Sequence, residues 1–300
     1  MAKYGPIYCN WSGYQKVADP FRVLDLAHQA GASCMEWHLD NLDHFSDDEL
    51  AEFRRRSEEY GIEHTFAASG SREYSPQDPD PVRRRKYAES FADVFKRIQL
   101  LGAHYSNSEL ATQDWRTPPA QMYFDRDRAF ELAADSAKQI CRIARDFDIT
   151  PCCEVSNRYE RWLLNDSYDA KKLAEMVDEL NFKYVLDVFH ANIEEESWIG
   201  CFERMGKYIG YMHLGESNRK YPGTVKDSKM DWRTIFTLLH KYNFDGLFIF
   251  EAFVKDQCEW GYWCNVWKDY SDGADEAATT ELNRRAIEFA RHMYEVETAQ

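Results

Sequence analysis

The sequence predicts an α/β chain folded as a single (β/α)8 TIM barrel over residues 1–300. Three observations predict it. Eight short apolar runs alternate with longer stretches of helical spacing. No Ser/Gly-rich linker or shift of composition divides the 300 residues. The rival architecture, an open doubly wound sheet, usually carries a Gly-rich phosphate turn after its first strand, and no G-x-G-x-x-G or Walker pattern occurs.

Strands are expected, in order, at Gly5–Cys9, Cys34–Trp37, Ile62–Ala67, Ala103–Asn107, Ile149–Val155, Tyr184–Val188, Ile209–Leu214 and Leu247–Phe253. Parallel strands are covered on both faces, so they read as continuous apolar runs and not as alternating ones. The first helix shows Phe21, Val23, Leu24, Leu26, Ala27 and Ala30 at helical spacing and is ended by Gly31. The next is expected from Pro81 to Leu101, with Phe91, Val94, Phe95, Ile98 and Leu101 on one face and Gly102 as its stop. Further helices are expected at Ala129–Phe147, Tyr168–Leu180, Trp232–Tyr242 and Glu276–Val296, the region 276–297 closing the barrel. The run Arg83–Lys86 opens a helix in an acidic chain and reads as a solvated face.

Composition narrows the functional classes. Lys+Arg 37 against Asp+Glu 52 leaves a net charge of −15. That argues against a nucleic-acid partner or an anionic membrane surface, both of which require phosphates to be met by a basic face. There is no run of roughly 18 apolar residues for a membrane span, and the start MAKYGPIYCNW lacks a signal pattern, so a cytoplasmic protein is expected. Eight cysteines occur without a C-x-x-C pair and read as reduced packing residues. No G-x-S-x-G elbow is present.

Chemistry in such a barrel belongs at the carboxyl ends of the strands. The last four strands each place one metal-capable side chain there: Glu154 in ITPCCEVSN, Asp187 in YVLDVFH, His213 in IGYMHLGES and Glu251 in LFIFEAF. A charge in an apolar run is costly unless paired or coordinated. For any one of the four, a satisfied core polar group is as good an account; four in consecutive strands at matching depth are hard to explain that way. Three carboxylates and one imidazole make an oxygen-rich set, suited to Mn²⁺ or Mg²⁺ more than to Zn²⁺. One divalent ion per chain is therefore expected, Mn²⁺ or Mg²⁺ on the donor set alone. Glu160, His190 and Arg219 follow these ligands in the adjacent loops, where they can hold the hydroxyls and carbonyl of a small polar ligand. Trp11 and Trp115 fall just after strands and either face a sugar or pack under a loop. His38 and His64 lie near strand ends in the first half, whereas His28, His240 and His292 fall in helical segments.

The segments EVSNRYE (154–160), LDVFHANIEEES (186–197), HLGESNRKYPG (213–223) and VWKDYSDGADE (266–276) resemble the ketose 3-epimerases, typified by the D-tagatose and D-allulose (D-psicose) 3-epimerases of the xylose-isomerase-like barrels. The resemblance implies that Glu154, Asp187, His213 and Glu251 bind the metal and that Glu160, His190 and Arg219 bind substrate. It implies metal-dependent epimerisation at C3 of a free 2-ketose, of the D-allulose/D-fructose, D-tagatose/D-sorbose or L-ribulose type. A cis-enediolate would form between two acid/base groups, Glu154 and Glu251, on opposite sides of C3. With the resemblance, Mn²⁺ comes first among the ions and Mg²⁺ or Co²⁺ after it. A homodimer or homotetramer is expected on the same ground. The stretch 65–70 departs from the family's glycine- and histidine-containing one, 106–122 does not match, and 254–264 is longer and more aromatic. The alternative is a lyase or isomerase acting on 3-keto-glycosides or other keto-sugars through the same metal–enediolate chemistry. A non-catalytic sugar-binding protein is disfavoured, because binding alone does not require two carboxylates beside one metal. An endonuclease-IV-like activity needs more metal ligands and a surface that accepts DNA.

Overall fold

A computed structural model describes residues 1–12, 19–111, 125–255 and 265–298. The elements run β1 (Lys3–Pro6), α1 (Cys9–Ser12), α2 (Pro20–Gln29), β2 (Cys34–His38), α3 (Asp47–Tyr60), β3 (Glu63–Ala68), α4 (Pro81–Glu89), α5 (Phe91–Leu100) and β4 (Tyr105–Ser108). They continue α6 (Arg126–Arg145), β5 (Thr150–Glu154), α7 (Ser167–Val177), β6 (Lys183–Asp187), α8 (Val188–Glu194), α9 (Trp198–Met205), β7 (Ile209–Leu214), α10 (Trp232–Lys241), β8 (Leu247–Phe250) and α11 (Glu276–His292). The eight strands form one sheet in the order β1-β8-β7-β6-β5-β4-β3-β2. Its two ends are joined by a parallel bridge from Ile7, just past β1, to Glu36 of β2. This is the eight-stranded α/β barrel expected from the sequence.

Backbone contacts gather the chain into two units, Met1–Thr65 with Tyr211–Gln300, and Phe66–Gly210. In the first, β1 pairs parallel with β8, and β8 with β7. Tyr4 stacks on Phe248, which also meets Phe236 of α10 and Tyr294 beyond α11, so helix and strand share an aromatic core. Gly5 lets β1 approach β2. A Cβ there would lie 1.7 Å from the Cys34 carbonyl oxygen. Gly5→Ala is accordingly expected to cost more than the ~1–3 kcal/mol usual for overpacking. A urea midpoint equal to that of the wild type would contradict this. In the second unit, β5 lies between β4 and β6, all parallel, and α6 lays Phe130, Ala133, Ala137, Ile140 and Ala144 into the interior.

Several expectations require correction. The helix expected over Pro81–Leu101 is two helices that meet at Ser90, whose hydroxyl donates to the Tyr87 carbonyl and accepts from the Ser71 amide. The solvated reading of Arg83–Lys86 fails at Arg84. This side chain is buried, with Nε and Nη2 on Asp135 and Nη1 on the Asp78 and Pro79 carbonyls. The apolar pattern does not predict α3, few of whose positions are apolar, yet this helix is well nucleated by a capping box between Ser46 and Glu49. Nor does it predict the short helices α8 and α9. Cys9, Cys34, Cys141, Cys152, Cys153 and Cys201 are buried thiols, and burial pushes that of Cys153 up to about 11. That environment suits packing and not reactivity. Among the described residues, no helix is long and apolar enough to cross a membrane.

Candidate metal centre

In the second unit, Glu154 is the last residue of β5 and Asp187 the last of β6. Asp187 is fully buried and is also the N-cap of α8: its Oδ1 accepts from the Phe189 amide at 2.7 Å. Helix α8 therefore starts at the strand end and carries His190 back over it, placing His190 Nε2 3.5 Å from Asp187 Oδ2 and 3.9 Å from Glu154 Oε1. The other ring nitrogen meets Asn157. The Asn157 Oδ1 accepts from the Tyr159 amide at 2.9 Å, so its Nδ2 is the atom that faces His190 Nδ1 at 2.7 Å and Glu160 Oε1 at 3.0 Å. An amide donor on Nδ1 leaves the proton of a neutral imidazole on Nε2, directed at the two carboxylates. Asn157 thus sets the tautomer of His190 and holds Glu160 beside it. The loop is clamped from outside, where Arg158 pairs with Glu194 at the end of α8.

In the first unit, β7 presents His213 and the residue after β8 is Glu251. His213 Nδ1 lies 3.6 Å from Glu251 Oε1, and its Nε2 lies 3.1 Å from Glu36 Oε1. The second oxygen of Glu251 accepts from Arg219 Nη1 at 2.6 Å. Arg219 is buried, with its guanidinium 4.4 Å from the centre of the Phe253 ring. Its backbone is left-handed, at φ +59°, and its carbonyl accepts from the Phe253 amide. Glu216, 1% exposed, ties down the loop that carries Arg219, accepting from the Gly223 amide, the Ser228 hydroxyl and Trp232 Nε1.

Glu154, Asp187, His213 and Glu251 are all buried, and each offers a ligand atom such that the four atoms lie within 4.8 Å of one another. Three carboxylates and one imidazole suit a hard divalent ion.

Trp11 donates its Nε1–H to Thr280 of α11 at 3.0 Å. Trp115 lies outside the described residues, as do most of the 106–122 loop and of the 254–264 segment. His64 turns to α3, with Nε2 2.6 Å from Ser57 Oγ, and burial pushes its pKa down to about 3. Sequence reasoning missed Glu36, Asn157 and Glu216. The first was open to the same argument as the ligands, a charge inside the apolar run Cys34–His38; the others sit within motifs read for their neighbours.

The family model for xylose isomerase-like TIM barrels matches residues 24–289. The sequence is 29% identical to the D-psicose 3-epimerase of Ruminiclostridium cellulolyticum over 98% of each chain. It is 25% identical to the L-ribulose 3-epimerase of a Methylomonas species, covering 97% of this chain and 98% of that relative. The structure of the D-psicose 3-epimerase of Clostridium cellulolyticum with D-tagatose matches it with a TM-score of 0.88 at 29% identity, over 97% of this chain and 99% of that one. The chain belongs to the xylose isomerase-like TIM barrel family. Its likeness to epimerases over nearly its whole length makes it an enzyme of the isomerase class.

Proposed function

We propose that this enzyme epimerises free 2-ketoses at C3, with Glu154 and Glu251 as the two acid/base groups. The observation that carries the reading is the buried Glu-Asp-His-Glu set with its ligand atoms within 4.8 Å of one another. The full-length relatives, both ketose 3-epimerases by name, support it. One divalent ion fits the donor set: Arg219 brings one positive charge and the ion two, against three carboxylates. Mn²⁺ suits the single imidazole among oxygens best, with Mg²⁺ and Co²⁺ next. When bound, such an ion supplies Lewis-acid stabilisation of negative charge on two adjacent substrate oxygens.

Inverting C3 requires a proton to leave from one face and another to arrive on the other. In this reading Glu154, the last residue of β5, and Glu251, just past β8, serve opposite faces of C3, one taking the C3–H and the other returning a proton to the planar cis-enediolate. On the same reading the Nε2–H of His190, which faces Asp187 and Glu154, donates to a substrate oxygen lying beside them, and Glu160, held by Asn157, accepts from a hydroxyl. Arg219 stays protonated and is suited to steady negative charge, not to act as a base.

The test is deuterium wash-in. Metal-stripped protein reloaded with Mn²⁺ would be incubated in D₂O with D-fructose, D-allulose, D-tagatose, L-ribulose or a 3-keto-glucoside, and the metal removed before NMR. Deuterium at C3 together with the C3 epimer is the expected result. Label at C1 or C2 with aldose formed would replace the reading by an isomerase. Consumption of the glycoside alone, without exchange into any free ketose, would replace it by a lyase.

A further inference from the structure

We propose that Glu36 is a positioning residue of the metal centre, orienting His213 and fixing its tautomer for ligation. The inference rests on the reading that His213 holds a divalent ion. Glu36 sits in the middle of β2, 1% exposed, between Met35 and Trp37, which are fully buried. A carboxylate in such a run is costly unless donors meet it. The Tyr211 hydroxyl of β7 does so, donating to Oε2 at 2.5 Å, and His213 Nε2 stands within ion-pair distance, 3.1 Å from Oε1. Tyr211 and His213 are two residues apart, and the period of a strand puts them on one face, so a single strand presents both groups to one carboxylate.

The backbone of Glu36 is pinned as well. Its carbonyl accepts from the Tyr8 amide at 2.8 Å, and the residue bridges to Ile7. The negative charge of a carboxylate 3.1 Å away favours the imidazole proton on Nε2 and so the lone pair on Nδ1. Nδ1 is the nitrogen turned towards Glu251, 3.6 Å from its Oε1. A carboxylate behind a ligating histidine fixes the ring's direction and strengthens it as a donor to the ion. A glutamate that only filled space in the barrel would not need a ligand residue as its partner, nor leave the other ring nitrogen aimed at the remaining ligands.

The test is titration of metal-stripped protein with Mn²⁺ by calorimetry, on the wild type, E36Q and Y211F. Glutamine keeps an acceptor for His213 but removes the charge. The Kd of E36Q is expected to rise by about 10–100-fold, and that of Y211F by less, with both apo proteins showing wild-type circular dichroism. An unchanged Kd in a folded E36Q, with only a lowered apo melting temperature, would make Glu36 purely structural and overturn the proposal. Should E36Q not fold, Y211F decides, because an unchanged Kd there overturns it equally. Wild-type protein that takes up no Mn²⁺, Mg²⁺ or Co²⁺ would instead refute the metal reading itself, an outcome visible before any variant is compared.

Discussion

Glutamine in place of Glu251 or Glu154 is expected to lower epimerisation by about 10²–10⁴-fold at saturating metal, the usual contribution of a positioned acid/base. Each substitution keeps an oxygen that can ligate and removes the one that moves a proton. Glu251 has its oxygens on different partners, Oε1 near His213 and Oε2 on Arg219, so the amide must also break or invert the Arg219 contact, and the larger loss is expected there. The two-base scheme makes a sharper prediction. With one glutamate gone, the other still reaches the C3–H of a single epimer. Each variant should therefore exchange deuterium slowly into one member of an epimeric pair and not into the other, the two variants choosing opposite members. Full activity in either variant, or the same preference in both, would rule out one base per face.

Asn in place of Asp187 should separate two duties that one carboxylate now performs. Oδ1 caps α8 through the Phe189 amide, and Oδ2 faces His190 Nε2 at 3.5 Å. Asparagine is as good an N-cap as aspartate, so its carbonyl should keep the cap and with it the placing of His190. The amide nitrogen would then stand where the proposed ligand oxygen was. Mn²⁺ affinity is expected to fall by at least the ~10–100-fold that loss of an outer-shell partner costs, with the apo melting temperature close to that of the wild type. Affinity unchanged by the substitution would remove Asp187 from the ligand set. A melting temperature that collapses in the apo protein would mean that the cap, and not the metal, dominates at this position.

The barrel and its four proposed ligands were legible for one reason. Parallel strands are apolar on both faces, so a charge inside one is conspicuous, and Glu154, Asp187, His213 and Glu251 all stand out against their runs. Glu36 is equally conspicuous in Cys34–His38, but its partners Tyr211 and His213 are some 175 residues away in sequence, and no spacing rule joins them. Asn157 carries no charge, and its role depends on which end of its amide the Tyr159 backbone engages, which only coordinates reveal. The apolar pattern carries β8 on to Phe253, whereas the strand ends at Phe250, its last ladder pair, because apolar residues continue past that point. One of those residues, Phe253, serves Arg219 through both its ring and its amide. Helix α3 is not legible as an apolar stripe, because only Leu50, Phe53 and Ser57 turn inward; its signal in the sequence is the capping box of Ser46 and Glu49.

The backbone of Arg219 bears on how this site could change over time. An L-residue held left-handed costs about 1–2 kcal/mol, a penalty that glycine escapes. Arg219 sits there at φ +59° all the same, with Glu216 anchoring its loop. Local conformational preference and chemistry pull in opposite directions at this one position. A drift to glycine would relax the backbone but strip the guanidinium from the buried Glu251 carboxylate, and breaking a buried pair costs about 3–5 kcal/mol, more than the left-handed backbone does. The pair, then, and not the backbone, decides which residue this position keeps.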